Sequence, residues 1–293
     1  MKLATAPVNW NNGDVTDYRP WVPYPALLDE MVAAGYNATE WGMNMERDAA
    51  KLLADLQQRN LQILGGFVGL ELRNSEKREK EIARALEIGR FFQSVGAPYL
   101  IAADSGDDRR RAEAGHVDPK GALSKEQWQS LAIGLNDLAR ELAPMGVKVV
   151  FHNHVGTYVE TEAETATLLE ETDPALVSWC LDCGHLAYGG GDTLRALEKY
   201  GNRVGYVHIK DVDEQVLQKS REDGWSFAQA LKSYIFAPLG EGIARVPEVI
   251  DSLRQAGYDG WVVIEQDTTP DDPTKVAERN RSYLEHLLNE NRI

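Results

Sequence analysis

Residues 148–182 read KVVFHNHVGTYVETEAETATLLEETDPALVSWCLD. The stretch opens on an apolar run, KVVFHNH (148–154), that ends in polar residues. It continues through a helix-like segment at 161–172 and closes on a second apolar run, VSWCLD (177–182). Near-continuous apolar strands joined by a helix suit a parallel βαβ unit, because a parallel return needs a crossover and the crossover helix covers the sheet.

The unit repeats outward in both directions. Further strand candidates are KLATAPV (2–8), NATEWG (37–42), QILGGFVG (62–69), YLIAAD (99–104), VGYVHIKD (204–211) and WVVIEQD (261–267), which makes eight in all. Helix-like segments fill the gaps at 26–34, 46–59, 75–95, 192–200, 246–256 and 273–290. Ser124 and Gln127 form a capping box ahead of another that ends near Pro144. Ala49, Leu52, Leu53 and Leu56 fall on one helical face. Gly35, Gly96, Gly146 and Gly257 stand where helices stop before strands. Eight βα units in 293 residues predict an α/β fold, a single (β/α)8 TIM barrel spanning residues 1–293. An open doubly wound sheet would call for a glycine-rich nucleotide fingerprint after the first strand, and NWNNGD (9–14) does not supply one. The long connections 9–23, 105–123 and 212–240 then rise over the C-terminal mouth, where barrel active sites lie. The run DDRRR (107–111) within them reads as a solvated loop, or alternatively as a lid or subunit contact.

Composition narrows the partners. A net charge of −15 disfavours a nucleic-acid backbone. No run of about 18 apolar residues predicts a membrane span, and "MKLATAPVNW" lacks the apolar core of a signal peptide, so a cytoplasmic protein is expected. The two cysteines, Cys180 and Cys183, read as buried small side chains, since Cys180 lies inside an apolar strand and no second pair completes a zinc site. Gly189, Gly190 and Gly191 read as a turn before a helix start at Asp192, with anion binding as the weaker reading.

The chemistry gathers at the ends of strands five to eight. His152, His154 and Glu160 follow strand five; Asp182 and His185 follow strand six. His208, Lys210 and Asp211 end strand seven, and Glu265 and Asp267 end strand eight. Four of the six histidines are in this group. Strand alternation puts Val150, His152 and His154 on one face, and likewise Cys180 with Asp182, Tyr206 with His208 and Lys210, and Val263 with Glu265. Clustered buried carboxylates repel one another unless a cation joins them. Glu160, Asp182, His208 and Glu265 are therefore the expected metal ligands, with His152 or Glu162 as substitutes for Glu160. Three carboxylates and one imidazole favour Mn²⁺, Mg²⁺ or Co²⁺, and Zn²⁺ also fits. His154 and His185 would bind substrate hydroxyls. Lys210 would transfer a proton or pair with Asp211 or Glu265, and Glu40, at the end of strand two, would hold a hydroxyl or the neighbouring network.

The order "HNH…GT…E", "DCGH", "HIKD" and "EQD" resembles the xylose-isomerase-like superfamily of barrels. "LATAPVNWNNGD", "AGYNATEWG" and "DCGHLAYGGGD" resemble its inosose (2-keto-myo-inositol) dehydratases, with a likeness that runs through nearly the whole chain. The resemblance implies a divalent metal, often manganese or cobalt, held by an acid after strand five, Asp182, His208 and Glu265, and a polyol or keto-sugar substrate. It implies a hydro-lyase reaction: Glu160, Glu265 or Lys210 takes the α-proton of a ketone, and His154, His185 or Lys210 helps the β-hydroxyl leave as water, giving a cyclic 1,2-dione. His152 would join Glu40, His154, His185 and Lys210 in substrate binding. A metal-dependent isomerase or epimerase shares the first half of this chemistry, and a non-catalytic sugar- or metal-binding barrel is the remaining alternative. Barrels of this group often associate, so the resemblance leaves a homo-oligomer open.

Overall fold

The strands in chain order are β1 (Lys2–Thr5), β2 (Ala38–Trp41), β3 (Gln62–Leu70), β4 (Tyr99–Asp104), β5 (Lys148–His152), β6 (Val177–Asp182), β7 (Val204–Ile209), β8 (Asp211–Val212), β9 (Phe236–Ala237) and β10 (Trp261–Ile264). This is a computed structural model, and it describes residues 1–42 and 44–289. All strands except β8 and β9 pair in parallel and close a barrel in the order β1-β10-β7-β6-β5-β4-β3-β2. The helices are α1 (Ala26–Ala33), α2 (Ala49–Gln58), α3 (Arg78–Val95), α4 (Asp108–Ala112), α5 (Lys125–Leu142), α6 (Glu162–Glu171), α7 (Cys183–Tyr188), α8 (Thr193–Tyr200), α9 (Glu214–Glu222), α10 (Phe227–Lys232), α11 (Val246–Gln255) and α12 (Pro273–Asn289). The expected last helix reached 290, which lies outside the described residues.

Alternation along the strands divides the core in two. Ala4, Ala38, Leu64, Ile101, Val150, Cys180, Tyr206 and Val263 point inward and fill the barrel. The opposite set, such as Val149, Phe151, Val207 and Ile209, packs outward against the helices. Each fully buried Leu, Val or Ile contributes about 1.5–3 kcal/mol, so both faces of every strand are held. On α5, Leu131, Leu135, Leu138 and Leu142 present one buried stripe to the sheet. The expected capping box is present at its start, with Ser124 accepting from the Gln127 amide and the Gln127 side chain accepting from the Ser124 amide. α3 stops at Gly96, whose φ of 73° is the left-handed conformation that a C-cap uses and a Cβ disfavours.

β1, β5, β7 and β10 end earlier than expected at the mouth. β1 stops at Thr5 and a 3-10 turn starts at Pro7, which has no N–H for a ladder. β5 stops at His152, β7 at Ile209 and β10 at Ile264, so His154, Lys210, Glu265 and Asp267 stand just beyond the barrel ladder. The 212–240 connection is structured: β8 and β9 form an antiparallel pair, and α9 and α10 pack Leu217, Phe227, Leu231 and Phe236 into a small second core. Val15, Ala114 and Val155 join that core, so the long connections brace one another over the mouth. The DDRRR run keeps Asp108, Arg109 and Arg111 exposed, as a solvated reading expects, but it forms a short helix and buries one residue. Asp107 caps α4, and Arg110 is fully buried, bonded to the Thr157 carbonyl at 2.6 Å and to Glu164 at 2.8 Å. A buried guanidinium needs such a paired carboxylate, and Glu164 lies 54 residues away, out of view of a local reading.

The same division of labour predicts unequal mutant effects. Leu135→Ala should cost about 2–5 kcal/mol through the cavity it leaves, whereas Ser124→Ala should cost about 1 kcal/mol through the lost cap. Denaturant midpoints of the two variants check the ranking.

Candidate functional site

Parity delivers the expected side chains to one place. Glu40 from β2, His152 from β5, Asp182 from β6 and His208 from β7 are buried together with Lys210, Glu265 and Asp267 at the inner rim of the mouth. Asn153, facing outward, fixes the β5–β6 junction: its side chain accepts from Trp179 Nε1 and the Asp182 amide and donates to the Asp182 carbonyl. Asp182 itself caps α7 by accepting from the His185 amide at 2.8 Å. Gly184 allows that turn to press on its neighbour, since a Cβ there would lie 2.3 Å from Lys210 Cβ.

His208 is the pivot. Its Nε2 lies 2.8 Å from Glu40 Oε1, and an ionised carboxylate only accepts, so Nε2 carries the hydrogen. Its Nδ1 faces Glu265 Oε2 at 3.0 Å and Asp182 Oδ2 at 3.9 Å, with no hydrogen-bond partner among the described residues. Burial works against a charge on the ring, yet Cys180, Glu265 and Glu40 hold it well above the usual imidazole range, so without an ion Nδ1 carries a proton. His152 Nε2 lies 3.2 Å from Asp182 Oδ2, and its Nδ1 is likewise buried and unpartnered. The proton on His208 Nδ1 stands where a cation would otherwise sit between the imidazole and the two carboxylate oxygens, and a divalent ion would replace it. His152, Asp182, His208 and Glu265 each bring one ligand atom within 4.8 Å of the others. A carboxylate that orients a histidine from behind, as Glu40 does here, is a common second layer of a metal site. The donor set therefore fits a divalent metal ion.

Glu160 does not join this cluster. The chain turns back after β5, with the His154 amide bonded to the Val159 carbonyl. This carries Glu160 to a position where its two oxygens accept from the Gly115 and Gly156 amides at 2.8 and 2.7 Å. The structure thus places His152 where the strand-five acid was expected. Glu162, the other substitute, pairs with Arg195 on the outside of α6. With two imidazoles and two carboxylates in place of one and three, the donor set is softer than expected. Burial pushes the Glu160 carboxyl up to about 7 even though the two amides oppose the shift.

Lys210 stands among acids. Its ammonium is 3.1 Å from Asp182 Oδ2 and 3.4 Å from Asp267 Oδ1, and it touches Glu265 Oε2. Burial would lower its pKa, but Asp182, Asp267 and Glu265 hold it well above the usual lysine range. Burial also works against ionisation of Asp182 and Glu265, yet Lys210, His152 and His208 keep Asp182, and His208 and Lys210 keep Glu265, below the usual carboxylate range. Burial beside those two acids pushes Asp267 up to about 7. Three acids crowd one ammonium, a concentration of buried carboxyl groups that a divalent ion would relieve.

His154 and His185 form a neighbouring pair, with ring centroids 3.9 Å apart. Burial drives His154 down to about 3 and His185 well below its ordinary value, so both are neutral at pH 7. Val155 sets their tautomers. Its carbonyl accepts from His154 Nδ1 at 2.7 Å, and its amide donates to His185 Nδ1 at 3.3 Å. His154 consequently presents a lone pair at Nε2, and His185 an unpartnered N–H at Nε2. The Asp192 side chain caps α8 by accepting from Leu194 and Arg195, so the glycine run before it is a turn, as expected. Cys180 and Cys183 are both buried and unbridged.

Sequence reading missed Phe67. It is 46% exposed, unusual for so large an apolar side chain, and its ring lies 5.9 Å from His152 and 5.7 Å from His154. Strict alternation from the inward Leu64 would turn Phe67 outward. A register shift beside the paired glycines, Thr39 opposite Ile63 but Trp41 opposite Gly66, flips it into the mouth.

Residues 28–287 match the family model described as Xylose isomerase-like TIM barrel. The inosose dehydratase of Geobacillus thermodenitrificans (strain NG80-2) is 35% identical over 288 residues, covering 97% of this chain and 96% of its own. Among solved structures, the probable 3-DHS dehydratase AsbF from Bacillus anthracis superposes with a TM-score of 0.74 at 17% identity, over 97% of this chain and 99% of its own. The IOLI protein with a binding zinc atom superposes with a TM-score of 0.74 at 14% identity, over 98% of both chains. At those identities the two structures bear on fold alone.

Two outcomes follow from the geometry. Removing the charge behind His208, as Glu40→Gln, should weaken Mn²⁺ binding by about 10–100-fold, read by calorimetric titration of the metal. Glu160 has a folded pKa near 7 against an ordinary 4.5, so the folded protein holds a proton there that the unfolded chain releases. Its contribution to stability is full below 4.5 and is lost as pH rises through about 7. Denaturant titrations between about pH 4 and about pH 8 should show that decline, and Glu160→Gln should flatten it.

Proposed function

This chain belongs to the xylose isomerase-like TIM barrel family, alongside the inosose dehydratases, and we propose that it removes water from a keto-inositol with the help of a divalent metal. The observation that carries the metal-assisted reading is the convergence of one ligand atom each from His152, Asp182, His208 and Glu265 within 4.8 Å, with His208 Nδ1 turned by Glu40 toward Asp182 and Glu265. His152, Asp182, His208 and Glu265 would hold the ion, and their mixed nitrogen and oxygen donors suit Mn²⁺, Co²⁺ or Zn²⁺ better than Mg²⁺. When bound, a divalent ion supplies Lewis-acid polarisation of a ketone oxygen.

The chain's own residues supply the rest. Glu265, kept ionised, is the base that takes the proton from the carbon beside the ketone. Lys210, kept protonated by its carboxylates, gives the proton that leaves with the β-hydroxyl. The C–H and C–O bonds break, water departs, and the remaining enol relaxes to a cyclic 1,2-dione. His185 Nε2–H and the His154 Nε2 lone pair orient ring hydroxyls, one donating and one accepting. Phe67 presents a flat apolar wall to the carbon face of the ring. In this reading Glu160 is no longer a ligand or base but the carboxylate that ties the 105–123 connection to the loop after β5.

Protein reconstituted with Mn²⁺ or Co²⁺ and given scyllo-inosose should yield a product lighter by one water, with rising ultraviolet absorbance from the enolised dione. Glu265→Gln and Lys210→Met should each lower kcat by about 10²–10⁴-fold. Exchange of the α-proton with solvent without loss of mass would point instead to an epimerase or isomerase.

A further inference from the structure

Asp267 has no part in the chemistry so far, yet its situation is costly. It is 4% exposed, and its Oδ1 has no hydrogen-bond partner among the described residues. The nearest cation, Lys210 Nζ, lies 3.4 Å from that oxygen, an ion-pair separation. The ammonium is engaged with Asp182 and Glu265, two of the four residues placed around the metal position. The Asp267 backbone is pinned, because its carbonyl accepts from Asn12 Nδ2 at 3.1 Å. A buried carboxylate oxygen held beside an ammonium but not bonded to it is a cost that folding alone does not require.

A divalent ion at the cluster would change Lys210's surroundings. Asp182 and Glu265 would turn their oxygens to the ion, and the ammonium would lose its two acceptors while facing a like charge a few ångströms away. Asp267 Oδ1 is the carboxylate oxygen already within reach of Lys210 that belongs to neither the cluster nor another bond.

We propose that Asp267 is a positioning residue, the seat onto which the Lys210 ammonium moves when Asp182 and Glu265 ligate a divalent ion. This deepens the reading above and rests on it, since it presupposes that the cluster binds the ion. Lys210 acts as the internal counter-ion of the empty cluster, and the transfer to Asp267 lowers the cost of displacing it. In the loaded protein Asp267 also keeps Lys210 at the mouth, with its remaining N–H groups free for a substrate oxygen.

The test is a double-mutant cycle on Mn²⁺ affinity, measured by calorimetry with the metal alone. Asp267→Asn should weaken Mn²⁺ binding by at least about tenfold, because the ammonium stays on the metal ligands. Lys210→Met should bind Mn²⁺ at least as tightly as the unmodified protein. Adding Asp267→Asn to Lys210→Met should then change the affinity by less than about twofold. Asp267→Glu, which keeps a carboxylate beside the ammonium, should retain most of the affinity. If Asp267→Asn does not fold, Asp267→Ser enters the same cycle. An equal loss of affinity with and without Lys210 would make Asp267 a mere source of negative field and overturn the proposal, as would no loss at all in the Lys210 background. Failure of the unmodified protein to bind Mn²⁺, Co²⁺ or Zn²⁺ would instead overturn the metal reading beneath it.

Discussion

The structure turns on negative charge that has been buried at the barrel mouth. Taking a carboxylate out of water costs several kcal/mol, and here Asp182, Glu265 and Asp267 surround one ammonium while Glu40 stands behind His208. No local preference of the chain would assemble such a group. A closed parallel sheet does so because its strand ends converge and its ladder fixes where each residue points. The energy that tolerates the cluster comes from the two apolar cores on either face of the strands.

The connections over the mouth answer a second buried-charge problem of the same kind. Arg110 enters the interior with Glu164 as its partner, and Glu164 also accepts from the Glu160 and Thr161 amides. Glu160 in turn accepts from Gly115 and Gly156. One short acidic stretch, 160–164, thereby fastens α4 and the β5–α6 loop to each other. The loop so fixed carries Val155, whose amide and carbonyl set the tautomers of His154 and His185. A charge network with no group in the reacting centre thus decides which imidazole nitrogen bears a proton there.

Much of this was legible in the sequence, and the exceptions share a cause. Alternation placed Glu40 after Ala38, Asp182 after Cys180, His208 after Tyr206 and Glu265 after Val263 because those strands run straight into the mouth. It failed at Phe67, where a bulge beside two glycines inverts the side-chain order. Glu160 stands apart from the cluster because it follows a loop whose path depends on the His154–Val159 backbone bond. The charge-run reading of 107–111 missed the burial of Arg110, which depends on a carboxylate 54 residues away. Periodicity is a property of one strand, whereas these three positions are set by register shifts and partners that only the folded chain brings together.

The same distinction bears on outcome within this family of barrels. An epimerase and a dehydratase both draw a proton from the carbon beside a ketone and differ in where the next proton goes. Return to carbon on the opposite face needs a second base across the ring; elimination needs a proton at a departing oxygen. In this mouth Lys210 is held protonated beside Asp182 and Glu265, while burial holds His154 and His185 neutral. Two neutral imidazoles carry no spare proton to return to carbon, whereas an ammonium beside the base carries one within reach of a departing hydroxyl. The division of protonation states, set by how deeply each group is buried and by which charges face it, is the one that the proposed loss of water would use.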